Sequence, residues 1–261
     1  MSKETEQNQV ERKIGEMPPL MAHLLELKRR LAIVIVVYVL GVLVLMNFSE
    51  PVFAFMSAPI RAALPEGTPL VFLNAPDVFF TYLKIALVLS LFATAPITFY
   101  QFWAFVAPGL YQNERKAFLG YFLTSLVLLM AGAAFAFYVV FPLIFEFFLG
   151  FSTELIQAMP AVKEYLTLAL KLLFAFGLSF QIPIIILVMV QLDFMDVESL
   201  ANKRRYVFVW AFIVAAVLTP PDIISQVLLA LPMMILFEAG LIAARILLRK
   251  QAAELSEKGV F

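Results

Sequence analysis

The sequence predicts an all-α integral membrane protein with six transmembrane helices and both termini in the cytoplasm. Three observations carry that expectation. Apolar residues make up 63% of the 261 and charged residues only 15%, where soluble domains hold roughly 45–50% and about 25%. Mean hydropathy is +0.94, and the apolar residues gather into runs that can cross a hydrocarbon core of roughly 30 Å. The lysines and arginines, finally, collect between alternate runs.

Taken in order, residues 1–17 are polar and read as a disordered cytoplasmic tail, 18–248 as the six-span membrane domain, and 249–261 as a cytoplasmic C-terminal tail. After Pro18-Pro19, Leu20, Leu24, Leu27 and Leu31 recur at helical spacing among charges. That pattern predicts an interfacial amphipathic helix leading into the first span. The spans are expected at 31–48, 79–105, 117–149, 165–190, 206–218 and 224–248. The first begins after about thirty polar residues and is too long for the apolar core of a leader, so it reads as an uncleaved span.

Loop 49–78 carries Pro51, Pro59, Pro65, Pro69 and Pro76 and reads as a structured cap on the periplasmic side. The echo of S-A-P-I (57–60) in T-A-P-I (94–97) is too short to mark an internal repeat, and the lack of symmetric halves argues against a repeat-built transporter. The fifth run is anomalous. Only 13 residues separate Lys203-Arg204-Arg205 from Thr219-Pro220-Pro221, a helix of about 20 Å. Short fifth and sixth spans predict a face that is locally thin or covered by a partner.

Orientation follows from the bases. Segments 1–30, 107–116, 191–205 and 245–261 hold 15 of the 19, whereas loops 49–78 and 150–164 keep only Arg61 and Lys163. That asymmetry places the termini inside. Lys84 and Lys171 fall close enough to span ends to snorkel. The chain has no cysteine and one histidine, and its net charge is zero. Disulfides, thiol chemistry and thiolate metal sites are thereby excluded, and the balance points to no nucleic acid. No phosphate loop, metal cluster or nucleophile–base set is present, so no catalytic residue, metal or cofactor is expected.

The polar residues near and inside the spans are therefore informative. Glu114 follows Asn113 at a span start, where a carboxylate complements the helix dipole; it equally suits an anionic receptor for a guanidinium. Glu26 precedes Arg29 and Arg30 by three and four residues, the favoured order for intrahelical pairs. Brought together, Glu26 and Glu114 would form a negative island on a positive surface. Asp222, behind Pro220-Pro221, reads as the N-cap of the sixth span. Gln181 and Gln226 lie inside spans, where interhelical hydrogen bonding is the ordinary role of an amide. Glu238, deeper still, either pairs with a base or is protonated. Tyr100, Phe102, Trp103 and Phe105 form an interfacial belt, and His23 reads as a surface residue.

Six ordered segments then resemble TatC, the multi-span subunit of the twin-arginine protein translocase. They are H-L-L-E-L-K-R-R-L (23–31), S-A-P-I (57–60), Y-Q-F-W-A-F-V-A-P-G-L-Y-Q-N-E-R-K (100–116), A-F-G-L-S-F-Q-I-P (175–183), K-R-R-Y-V (203–207) and L-T-P-P-D-I-I-S-Q (218–226). The resemblance implies a non-enzymatic receptor in the cytoplasmic (inner) membrane that binds twin-arginine signal peptides of folded cargo. It puts the signal-peptide site on Glu26 and Glu114 with Phe105 close by, and transport under the proton motive force. It gives partner-binding or structural importance to Pro59, Gln181, Asp222 and Gln226. TatA- and TatB-type single-span subunits, self-association in a larger complex, and membrane lipids are the implied partners. The chain departs from the family at Gln181, where glutamate is frequent, and at Lys28, where arginine is frequent. A secondary solute or ion transporter using Glu238, Gln181 and Gln226 is the alternative that the intramembrane polar residues leave open.

Overall fold

In the computed structural model, residues 19–64, 68–106, 115–151, 159–219 and 222–257 are described. They form helices α1 (Pro19–Asn47), α2 (Ser49–Met56), α3 (Ala58–Ala63), α4 (Ala75–Ala93), α5 (Ala95–Val106) and α6 (Arg115–Phe135). A π-helical turn, Ala136–Val140, leads into α7 (Phe141–Leu149), and α8 (Val162–Ser179), α9 (Ile182–Gln191), α10 (Val197–Asn202), α11 (Arg204–Leu218) and α12 (Ile223–Glu257) follow. Among the described residues the only β pairing is a bridge between Val71 and Ala161.

Among the described residues, five stretches are long and apolar enough to cross a membrane: His23–Asn47, Ala75–Ala93, Leu119–Leu149, Val162–Gln191 and Ile223–Ala253. The remaining expected span is α11, whose 15 residues reach about 22 Å. Its shortness agrees with the anomaly in the sequence. The amphipathic start and the first span are one unbroken helix, α1. At the other end α12 continues to Glu257, into the segment expected as a tail.

Two expected spans are not single rods. The run 79–105 breaks at Thr94 between α4 and α5, and 165–190 breaks at Phe180-Gln181 between α8 and α9. In each case a proline, Pro96 or Pro183, is the second residue of the new helix. Proline has no N–H to give the preceding turn, and its ring collides with the carbonyl four residues back. Pro59 does the same between α2 and α3. The side chains at two of these breaks bond back to carbonyls of the preceding turn: Ser57 donates to Ala54 O at 3.2 Å and Thr94 to Ser90 O at 2.6 Å. At Pro142 the chain instead absorbs the ring by widening the turn before it, which gives the π-helical segment.

The core lies between the π turn, α7, α8 and the first half of α12, with Phe141, Ile144, Leu172, Phe176 and Leu229 fully buried. A second cluster joins α9, α10 and α12 through Ile186, Val190, Phe237 and Leu241. Helix α1 packs on α4 and α5, α5 on α6, and α6 and α4 on α8, while α11 and α12 form a hairpin that touches α8 and α9.

The proline-rich loop is structured. Its helices α2 and α3 pack on α4 and α7, and Tyr165 of α8 donates to Met56 O at 2.6 Å. Val162 N donates to Val71 O at 2.8 Å and Val71 N to Pro160 O at 3.3 Å. Beside that bridge, Lys163 Nζ stands 3.0 Å from Asp77 Oδ1, and Asn74 donates to Asp77 Oδ2 at 3.1 Å.

Candidate functional site

The site is assembled by two helix faces. On α1, His23, Glu26 and Arg30 follow at spacings of three and four and so share one side. On α5, Gln101 and Phe105 are four apart and share another. The two sides meet: the His23 ring stacks on Phe105 with centroids 4.2 Å apart and an interplanar angle of 19°, and Arg30 Nη1 donates to Gln101 Oε1 at 3.1 Å. Glu26 and Phe105, both expected at the site, thus belong to one α1–α5 junction. Glu114 lies outside the described residues.

Between the two possible arginine partners of Glu26, the structure selects Arg30. Its Nε and Nη2 donate to Glu26 Oε1 at 2.9 and 2.6 Å. Both donors converge on one oxygen; among the described residues Oε2 accepts no hydrogen bond. The pair stays accessible, with 24% of the Arg30 side chain and 37% of the Glu26 side chain exposed. Lys28 and Arg29 point elsewhere on α1 and are exposed. A partly exposed carboxylate with one oxygen open, among neighbouring bases, has the chemistry to accept a further guanidinium.

The far side of α5 is anchored. Trp103, 4% exposed, donates from Nε1 to Ser125 Oγ at 3.0 Å and stacks on Tyr121 at 5.3 Å. Tyr121 in turn hydrogen-bonds the Gln191 amide oxygen. The α5 face toward α1 is therefore held in place by bonds on the face toward α6.

The other residues singled out from the sequence lie away from this junction. Pro59 is in α3. Gln181 occupies the α8–α9 break and is 8% exposed; its Nε2 donates to Ser125 O at 3.2 Å. Gln226 Nε2 donates to Phe212 O at 3.0 Å, tying α12 to α11. Both amides thus make the interhelical bonds expected of them. Asp222 caps α12, accepting from Ser225 N at 2.6 Å. Its second oxygen and the Ser225 hydroxyl are buried and have no hydrogen-bond partner among the described residues. Glu238 is not a lone intramembrane acid: Arg204 grips it with both arms, Nη2 donating to Oε2 at 3.0 Å and Nε to Oε1. The short α11 makes this possible, because its basic end meets α12 well inside that long helix. Among the described residues no group of three His, Cys, Asp or Glu is placed to hold a metal ion.

Sequence reasoning missed His23 and Gln101 as members of the junction. The signal was present in the four-residue spacing of Gln101 and Phe105, and in His23 three residues before Glu26, which puts each on the same helix side as an expected residue.

Comparison with known proteins accords with this geometry. Residues 22–232 match the family model described as Sec-independent protein translocase protein (TatC). The Sec-independent protein translocase protein TatC of Desulforapulum autotrophicum is 39% identical over 242 residues, covering 93% of this chain and 90% of the relative. Its counterpart in Escherichia coli K12 is 38% identical over 232 residues, 89% and 90% of the two chains. A crystal structure of the twin arginine translocase receptor TatC superposes with a TM-score of 0.79 at 36% identity, covering 86% of this chain and 98% of that one. With the family model matched over residues 22–232 and relatives 38–39% identical over about nine-tenths of the length, the chain belongs to the TatC family of Sec-independent protein translocase proteins.

Proposed function

We propose that this translocase subunit is the receptor for paired-arginine signal peptides, and that Glu26 and Glu114 each take one guanidinium with Phe105 beside them. The single observation that supports this most is the Glu26 carboxylate: it already accepts two N–H groups of an arginine, is partly exposed, and keeps its second oxygen open. The likeness to the twin arginine translocase receptor TatC supports the same reading. In this proposal the chain crosses the inner membrane six times with both termini cytoplasmic, α11 serving as a short fifth crossing. The basic asymmetry of the loops supports that orientation. Residues 1–17 and 249–261 are then cytoplasmic tails flanking the membrane domain 18–248. Folded cargo is brought by the peptide, TatA- and TatB-type helices dock near Asp222 and Gln226, and Pro59 and Gln181 have partner-binding or structural roles. The buried, half-satisfied carboxylate of Asp222 supports a partner there, since such an atom costs stability until it is paired.

The test is recovery of a signal peptide with the purified full chain. Glu26→Ala and Glu114→Ala are each expected to lower affinity about 10- to 100-fold, the scale of a lost charge-assisted hydrogen bond. A peptide with two lysines is expected to bind less tightly than one with two arginines, because ammonium lacks the planar fork. Unchanged recovery in both variants would sink the proposal. The transporter alternative loses its main residue to the Arg204 pair, and flux through the chain alone in liposomes would be needed to revive it.

A further inference from the structure

We propose that Arg30 is a built-in competitor for the signal-peptide carboxylate, which occupies Glu26 in the free protein and must be exchanged for the incoming arginine. The inference rests on the receptor reading above and concerns how that same site is filled and emptied.

Three features of the junction carry it. Arg30 is chemically the ligand itself, a guanidinium, and it sits on Glu26 at 2.6 and 2.9 Å. It also has somewhere to go. Its Nη1 is already bonded to Gln101 Oε1 at 3.1 Å, so release from Glu26 leaves it with a partner rather than stranded at a membrane surface. Finally, both Arg30 donors lie on Oε1, and Oε2 takes no hydrogen bond among the described residues. An incoming guanidinium can therefore dock on Oε2 before Arg30 leaves Oε1. The carboxylate is never bare during the exchange, and the same path in reverse returns Arg30 and helps expel the peptide.

Competition has a quantitative signature. Apparent affinity is the intrinsic affinity multiplied by the fraction of receptor whose Glu26 is free. With Arg30 bound two-thirds to nine-tenths of the time, removing it tightens binding about three- to tenfold. The factor is the same for every ligand of that carboxylate. Arg30 therefore shifts all affinities together, keeping weak cationic sequences off the site, while the preference for arginine over lysine stays with Glu26 itself.

The experiment measures binding of two fluorescent synthetic peptides, one with adjacent arginines and one with lysines in their place, to the full chain in lipid nanodiscs. Arg30→Gln is expected to tighten both by the same factor of about three to ten. Arg30→Lys, which keeps the charge but not the fork, is expected to tighten both by a smaller factor, and it serves if the glutamine variant does not fold. Arg29→Gln removes an equal charge one residue away without freeing Glu26 and is expected to change affinity less than twofold. In a Glu26→Gln background Arg30→Gln is expected to have no effect. Unchanged or weaker binding in Arg30→Gln, a gain no larger than that of Arg29→Gln, or a gain that persists in Glu26→Gln overturns the competition. If Glu26→Gln alone leaves peptide binding intact, it is the receptor reading that fails, a result distinct from these.

Discussion

Helices α1 and α8 stand at opposite extremes of attachment. In the most apolar window of His23–Asn47 no residue is buried, whereas half of the corresponding window of Val162–Gln191 is. Helix α8 is wrapped by α4, α6, α11 and the π turn; α1 lies mainly against α4 and α5. Yet α1 carries Glu26. A group proposed to receive a peptide is accessible on such an edge helix and can be repositioned without disturbing the core, at the cost of resting on few contacts. In lipid, where apolar side chains gain little by touching one another rather than acyl chains, those contacts are close backbone approach and specific hydrogen bonds. For α1 they are the His23–Phe105 stack, the Arg30–Gln101 bond, the Tyr38 hydroxyl on Leu87 O at 2.9 Å and the approach of Gly41 to Thr94.

The largest effect that separates the two helices is expected at the core. A Cβ on Gly132 of α6 would lie 2.5 Å from the carbonyl oxygen of Phe176 in α8, and 3.0 Å from Phe180 Cβ. Neither can turn away, because one is backbone and the other is fixed to it at the α8–α9 break. Forced spreading of packed helices costs roughly 1–3 kcal/mol and occasionally more, against at most about 1 kcal/mol regained from alanine's helix propensity. Gly132→Ala is expected to lose about 2 kcal/mol, with peptide binding falling only as folded protein is lost. Thermal unfolding in detergent followed by tryptophan fluorescence checks it; an unshifted transition would show that α6 and α8 are less rigidly apposed than their geometry states.

Much of this contrast was legible beforehand, and the part that was not has physical causes. Long apolar runs announce spans because the membrane demands satisfied backbone over a fixed thickness. Short α11 was visible for the same reason. The helix breaks were misread as continuous spans because hydropathy ignores proline, although S-A-P-I, T-A-P-I and Q-I-P-I all place it two residues after a polar side chain. What looked like an accidental echo is a local grammar for ending one helix and starting another. Partner choice was the least legible. Glu26 had Arg29 and Arg30 within reach on the same helix, and only the arrival of Gln101 from α5 selects Arg30. For Glu238 the sequence left pairing and protonation both open, because its base, Arg204, sits 34 residues away on a helix whose short length brings the two level.

A smaller effect, confined to the edge helix, is expected from Tyr38→Phe. The substitution keeps the ring and removes one interhelical hydrogen bond, to an α4 carbonyl that keeps its own helical partner. Such bonds in membrane proteins average about 0.6 kcal/mol, so the unfolding transition should move by only a degree or two. Peptide affinity is the more telling readout, because the bond helps set where α1 lies along α4 and hence where the Glu26–Arg30 pair meets Gln101. A change of up to about threefold is expected, the amount that 0.6 kcal/mol allows. A loss of stability on the scale of Gly132→Ala would instead make α1 part of the core.

The smallest effect, and the sharpest form of the comparison, is Gly41→Ala. Its Cβ would meet Thr94 Cγ2 at 2.8 Å and Ser90 Cβ at 3.3 Å, an overlap nominally similar to that at Gly132. The difference lies in what must move. Thr94 can rotate its methyl away by giving up the 2.6 Å bond from its hydroxyl to Ser90 O, a bond worth about 1 kcal/mol. Alanine returns about the same amount in helix propensity at this half-buried, mid-helix position. The two terms offset, so Gly41→Ala should leave the transition within about 0.5 kcal/mol of wild type even though the overlap is as severe on paper. Measured beside Gly132→Ala under one set of conditions, equal losses would mean that α1 is clamped as firmly as α8. A loss at Gly132 alone would show that an edge helix can carry the proposed receptor carboxylate while yielding where the core cannot.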